Sequence, residues 1–255
     1  LILLSKYQDY KTNGTNPPEE VINKTSNYKQ DSDKINGWFN TSIEECDFDE
    51  DGKAPTSLDV LFENFKIWAC EEGFEMVEQM GAAPGAKWGD IITGIYSASG
   101  DLTIGSAGGV LIFSALVHHP IKFIIKNWVD EETVGVKEGD GFIHNDSRYG
   151  NVHNTDQSMI LPVFHEGKLI CWAASTVHEG ECGAIEPGGM PTMAETSFDE
   201  GLKMSPFKVV ENYKIKRDLL TFLQNSVREP KLQYEDMKVK LFACMRLEQR
   251  IKEVF

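Results

Sequence analysis

The sequence predicts an α+β fold in which antiparallel β-hairpins pack with long helices. Three observations predict it. Apolar residues recur at helical spacing in segment 57–80 and again toward the C-terminus, in 216–227 and 232–254. Between these lies segment 157–178, which reads as two strand-like runs joined at His165-Glu166-Gly167. Strands and helices do not alternate in a simple βαβ rhythm, which argues against a doubly wound parallel sheet.

Taken in order, residues 1–56 are polar and rich in Asn, Lys, Asp and Ser, and predict an N-terminal arm suited to wrapping a partner. Residues 57–255 form the domain proper. Within the arm, "DFDEDG" (47–52) resembles the opening of a calcium loop, but Leu58 stands where the closing glutamate belongs, so a solvated acidic turn is expected. In the first helix Leu58, Leu61, Phe62, Phe65, Trp68 and Ala69 share one face, with Thr56 or Ser57 as N-cap. Segment 90–113 reads as strand, turn at Ser99-Gly100-Asp101, and strand. Its "GSAGG" lacks a phosphate loop's lysine and predicts a tight bend. A helix is expected over 114–129, with Pro120 near its first turns or at a break. Its adjacent His118 and His119 would point about 100° apart and make no ligand pair. Segment 136–146 gives a turn and a short strand ending at Asn145-Asp146. Residues 182–192 form a Gly/Pro-rich loop in which Gly188 and Gly189 permit close backbone approach to a ligand. Pro230 separates the two final helices.

Composition bounds the function. The 255 residues carry a formal net charge of −15, which argues against a nucleic-acid groove or an anionic membrane surface as partner. No run approaches the ~18 apolar residues of a membrane helix. The opening Leu-Ile-Leu-Leu lacks a basic leader, and the 5 cysteines are odd in number with no CxxC. A cytoplasmic chain with reduced thiols is the expectation.

The chemistry concentrates around one hairpin. "GNVHNTDQ" (150–157) puts His153 and Asp156 three residues apart, and "STVHEGECG" (175–183) adds His178. Residues 156 and 178 are nearly equidistant from the hairpin tip, so an antiparallel return brings them together. Two imidazoles and a carboxylate suit manganese, iron or zinc. Glu181, or Asp90 at a strand start, would be a further ligand or orienting group. The plain alternative is that His153 caps a turn, Asp156 caps an element and His178 is a satisfied loop residue. Cys182 beside His178 lacks a third catalytic partner and reads as an inert buried thiol.

Residues 139–191 resemble the central signature of the hydantoinase B/oxoprolinase family: Gly-Asp-x-Phe ("GDGF"), Asn-Asp ("HNDSRYGN"), His-x-x-Asp ("HNTD"), a Pro-Val-Phe hairpin, and a histidine loop ending "PGGMP". The likeness continues through "EGLKMSPFKVVEN" and "NSVREP" and covers roughly residues 90–255. "HNTDQ" and "GAIEPGGMP" most resemble the alpha subunits of ketone carboxylases of the acetone carboxylase type. The amide-hydrolysing branch shows a doubled histidine, where this chain has the single His178. Asn151 stands where the pattern has a second glycine. The resemblance implies that His153, Asp156 and His178 hold a metal, manganese first and zinc or iron as alternatives, with Glu181 or Asp146 orienting them. It implies a metal-dependent subunit of an ATP-dependent complex that joins an enolate of a small ketone to CO2 from bicarbonate. ATP would be used by a hydantoinase A-type partner, and a small zinc-containing third subunit would complete a hetero-oligomer. The family subunit is longer than this chain. Hydrolysis of a cyclic amide of the hydantoin or 5-oxoproline kind, or a non-catalytic scaffold, are the alternative functions.

Overall fold

A computed structural model of the chain describes residues 58–253. The expected arm and the acidic turn at 47–52 lie outside the described residues. Those described contain β1 (Ile91–Ser97), β2 (Leu102–Gly105), β3 (Gly141–His144), β4 (Asp156–His165), β5 (Lys168–His178), β6 (Phe207–Glu211) and β7 (Lys214–Ile215). The helices are α1 (Leu58–Met80), α2 (Pro84–Trp88), α3 (Leu111–Trp128), α4 (Arg217–Asn225) and α5 (Pro230–Lys252), with a 3-10 turn at Ser147–Tyr149. All seven strands join one sheet in the order β2-β1-β5-β4-β3-β6-β7, and every pairing is antiparallel. The α+β expectation holds.

The β4–β5 hairpin is the centre of this sheet. Its register runs from His165 opposite Lys168 to Asp156 opposite His178. The two turn residues, Glu166 and Gly167, have φ of 49° and 74°. Positive φ at both positions marks a type I′ turn, whose twist matches that of the flanking strands. Side-chain alternation then sorts the sheet into two faces. Phe142, Ile160, Ala174, Tyr96 and Trp172 pack toward Val117, Ile121 and Ile124 of α3. Ile143, Met159, Leu161, Ala173 and Ile95 pack toward Met237, Leu241, Cys244 and Leu247 of α5 and Leu220 and Leu223 of α4. Each large side chain buried here contributes about 1.5–3 kcal/mol relative to exposure. On the α3 face the apolar row Phe142, Ile160, Ala174 gives way two residues on to His144, Ser158 and Thr176, and then to Asp156 and His178. The sheet thus carries its polar groups to one end of that face.

Two details differ from the sequence reading. Helix α3 begins at Leu111, so Pro120 lies in the middle of an unbroken helix rather than near its start or at a break. Its missing N–H leaves the Leu116 carbonyl without a helical donor. Pro120 is itself buried, and the helix is held across it by Val117 and Ile121 on the sheet. The strands β6 and β7 were not anticipated. They are joined by Asn212-Tyr213, which reach φ of 49° and 59° without glycine, and they extend the sheet from β3.

Candidate metal centre

Asp156 begins β4 and His178 ends β5, so the hairpin register makes them a directly opposed pair. His153 precedes Asp156 by one turn, closed by the Asp156 N–H donating to the His153 carbonyl at 3.1 Å. The Asp156 carboxylate is fully buried between the two rings. Its Oδ1 lies 2.7 Å from His178 Nδ1 and its Oδ2 lies 3.1 Å from His153 Nδ1. Oδ2 also accepts from the His153 backbone N–H at 2.9 Å. The rings are edge to face with centroids 5.9 Å apart. His178 is the more enclosed; the His153 side chain keeps 41% of its surface in solvent, leaving one open side.

These atoms can hold a divalent cation. His153, Asp156 and His178 each offer one ligand atom, and those atoms lie within 4.8 Å of one another. Two ligand atoms about 2.1 Å from one ion and at right angles are about 3.0 Å apart, close to the imidazole–carboxylate separations here. A proton fills the same spaces, and the Asp156 carboxylate, which accepts from His178, raises the pKa of that imidazole against the opposing effect of burial. Ion and proton therefore compete for one position. Gly189 packs on the Nε2 side of His178, where a Cβ at that residue would come 2.9 Å from Nε2, while Nδ1 faces the carboxylate. Thr155 Oγ1 donates to the Gly189 carbonyl at 3.0 Å and pins the loop there. The close approach seen here is that of Gly189 to the His178 ring.

The other residues singled out in the sequence divide clearly. Asp90 reaches the site: its Oδ2 is 3.8 Å from His178 Nδ1, and its carbonyl accepts the His178 N–H at 3.0 Å. Glu181 does not. Its carboxylate accepts from Gly183 N–H at 2.8 Å, Arg228 N–H at 2.6 Å and Arg228 Nη1 at 2.5 Å, because the chain reverses after His178 and carries it toward the start of α5. Glu181 as ligand or orienting group is therefore corrected. Asp146 is likewise not an orienting group, since its carboxylate caps the 3-10 turn through Arg148 N–H at 2.9 Å and pairs with the Arg148 guanidinium at 2.5 Å. Cys182 is buried, donates to the Glu200 carbonyl at 3.3 Å, and is pushed up to about 11 chiefly by burial, in keeping with an inert thiol. The His118 and His119 rings lie 3.8 Å apart at a 38° tilt on α3 and join no candidate ligand group among the described residues.

Sequence reasoning missed three polar groups near these residues. Asn151 directs its amide at the turn carrying His153. Glu179 meets Lys240 of α5 in a buried ion pair behind His178. His144 is fully buried two residues along the sheet from the Asp156 row, and neither ring nitrogen has a protein hydrogen-bond partner among the described residues. Only the polar stretch "FIHND" at a strand end hinted at it.

Comparison with known proteins locates the chain. The hydantoinase B/oxoprolinase family pattern matches residues 55–255. The chain is 39% identical over 169 residues to the acetophenone carboxylase delta subunit of Aromatoleum aromaticum, covering 65% of this chain and 24% of that protein. It is 32% identical over 182 residues to the acetone carboxylase alpha subunit of Xanthobacter autotrophicus, covering 71% of this chain and 23% of that protein. The solved nucleotide-free structure of acetone carboxylase superposes with a TM-score of 0.74 at 27% identity, over 89% of this chain and 30% of that one. The chain thus spans about a quarter of the length of these curated relatives. No helix among the described residues is long and apolar enough to cross a membrane. With the family pattern running from residue 55 to residue 255, the chain belongs to the hydantoinase B/oxoprolinase family.

Proposed function

We propose that this chain is the metal-holding part of the catalytic subunit of an ATP-dependent ketone carboxylase. The observation that carries the reading is the buried Asp156 carboxylate set between the Nδ1 atoms of His153 and His178. The likeness to acetone and acetophenone carboxylase subunits supplies the reaction class. His153, Asp156 and His178 are the ligands, Asp90 is the fourth, and manganese is the first choice of ion, with zinc or iron as alternatives. A divalent ion held there would supply Lewis acidity toward an oxygen that gains negative charge during reaction.

The chain's own residues do the rest. Asp156 fixes both imidazoles and balances the charge of a cation. Gly189 and Thr155 close the inner side of His178 against water. The exposed edge of His153 leaves the approach for a small ketone or CO2. ATP would be used by a hydantoinase A-type partner, with a small third subunit in the same hetero-oligomer.

The test is elemental analysis of the purified complex together with ketone-dependent incorporation of labelled bicarbonate. About one transition-metal ion per chain is expected, and His153→Ala should lose both metal and carboxylation. Ring-amide-dependent ATP hydrolysis with no response to ketones would reassign the chain to the amide-hydrolysing branch. Full turnover without metal would leave it a scaffold and sink the site assignment.

A further inference from the structure

We infer that Asn151 is a positioning residue that sets the geometry of the His153–Asp156 turn, and with it the affinity of the site for a divalent cation. The inference rests on the metal reading above. The Asn151 side-chain nitrogen lies 2.5 Å from the Asn145 carbonyl, 2.5 Å from the His153 carbonyl and 2.7 Å from the Asp156 carbonyl. An amide nitrogen carries two hydrogens, so three acceptors share two donors, and the group is saturated.

The three acceptors have distinct places in the fold. Asn145 directly follows β3, His153 opens the ligand turn, and Asp156 closes it as the first residue of β4. One side chain therefore fixes both ends of the His-x-x-Asp turn against the end of the neighbouring strand. These hydrogen bonds go to main-chain carbonyls and not to an imidazole or the Asp156 carboxylate, so it acts through the backbone of the ligands and not on the ion. The end of β3 is itself rigid: the fully buried Asn145 donates to the carbonyls of Asn154 and Leu202 and accepts from the Met204 N–H at 2.6 Å. Asn151 thus ties a mobile kind of element, a turn, to a fixed one.

Positions of metal ligands are sensitive to such support; removing an orienting partner commonly lowers metal affinity 10–100-fold. The experiment titrates Mn2+ into the full-length chain, wild type and Asn151→Ala, following the dissociation constant by calorimetry and the bound ion by Mn(II) electron paramagnetic resonance. Asn151→Ala should bind Mn2+ about 10–100-fold more weakly with a broadened or shifted spectrum, while the metal-free unfolding transition stays cooperative. Asn151→Asp is the second variant. It has the same size but sets a carboxylate against three carbonyls, so it should bind more weakly than Asn151→Ala. Affinity within about threefold of wild type and an unchanged spectrum in either folded variant would overturn the positioning role. A wild-type chain that binds no Mn2+ would instead sink the metal reading.

Discussion

Replacing His144 with leucine should flatten the acid limb of the stability curve. His144 closes β3 on the α3 face, is 0% exposed, and burial depresses its pKa from 6.5 to about 3. The folded state therefore holds the ring neutral, whereas the unfolded chain protonates it near 6.5. A depressed folded pKa means stability that is complete above 6.5 and is lost as pH falls toward about 3. The loss follows RT ln(1 + 10^(6.5 − pH)), with RT about 0.6 kcal/mol, which gives about 1.4 kcal/mol at about pH 5.5 and almost nothing at about pH 7.5. With a urea m-value of about 2 kcal/mol/M, that is a midpoint shift of about 0.7 M. Urea unfolding of both proteins at the two pH values isolates the effect, because the carboxylates titrate alike in each. The His144→Leu midpoint should fall less between the two conditions, by about that amount. Because both ring nitrogens lack protein partners, the substitution should also leave stability at neutral pH near wild type. Parallel pH dependence in the two proteins would mean that the imidazole protonates in the folded state, and the argument from burial would fail.

Three further outcomes follow from the site's surroundings. Lys240→Met leaves Glu179 buried without its cation and should destabilise by about 3 kcal/mol, partly restored by adding Glu179→Gln; an unchanged urea midpoint would refute the pairing. Gly189→Ala places a Cβ 2.9 Å from His178 Nε2, so the loop must move or the ring must turn; Mn2+ affinity should drop at least about tenfold, and wild-type affinity would mean the loop does not set the ring. Glu181→Gln weakens the Arg228 contact but touches no ligand, so metal content should match wild type while thermal stability falls; loss of metal from a folded Glu181→Gln protein would return Glu181 to the site.

How much of this was legible in the sequence depends on the range of the forces involved. The β4–β5 hairpin could be read because period-two patterning and a Glu166-Gly167 turn are local signals, and pairing Asp156 with His178 needs only counting from the tip. The β6–β7 hairpin could not, because its turn is Asn212-Tyr213, where two non-glycine residues accept positive φ. Glu181 was misplaced because the strand pattern runs to His178 and gives no hint that the chain then turns toward Arg228. The roles of Asn151 and Lys240 depend on atoms from segments that meet only after folding. An asparagine in a polar loop and a lysine in a mixed helix each have an ordinary surface explanation.

The strand end Val177-His178-Glu179 serves both faces of the sheet. Successive residues of an extended chain turn to opposite sides. His178 meets Asp156 and Asp90, while Glu179 turns to Lys240 of α5, on the other face of the sheet. A histidine placed at 179 would stand behind the centre and against a buried ammonium. It would not become an additional ligand of the same ion. Glu179→His tests this. It should retain about one Mn2+ per chain, since Nδ1 of His178 and the Asp156 carboxylate keep their places. It should also lose about 3–5 kcal/mol of stability, since Lys240 is left buried without its carboxylate. Loss of the ion from a protein that keeps its cooperative unfolding would show that the two faces are not independent, and that the residue after His178 reaches the metal.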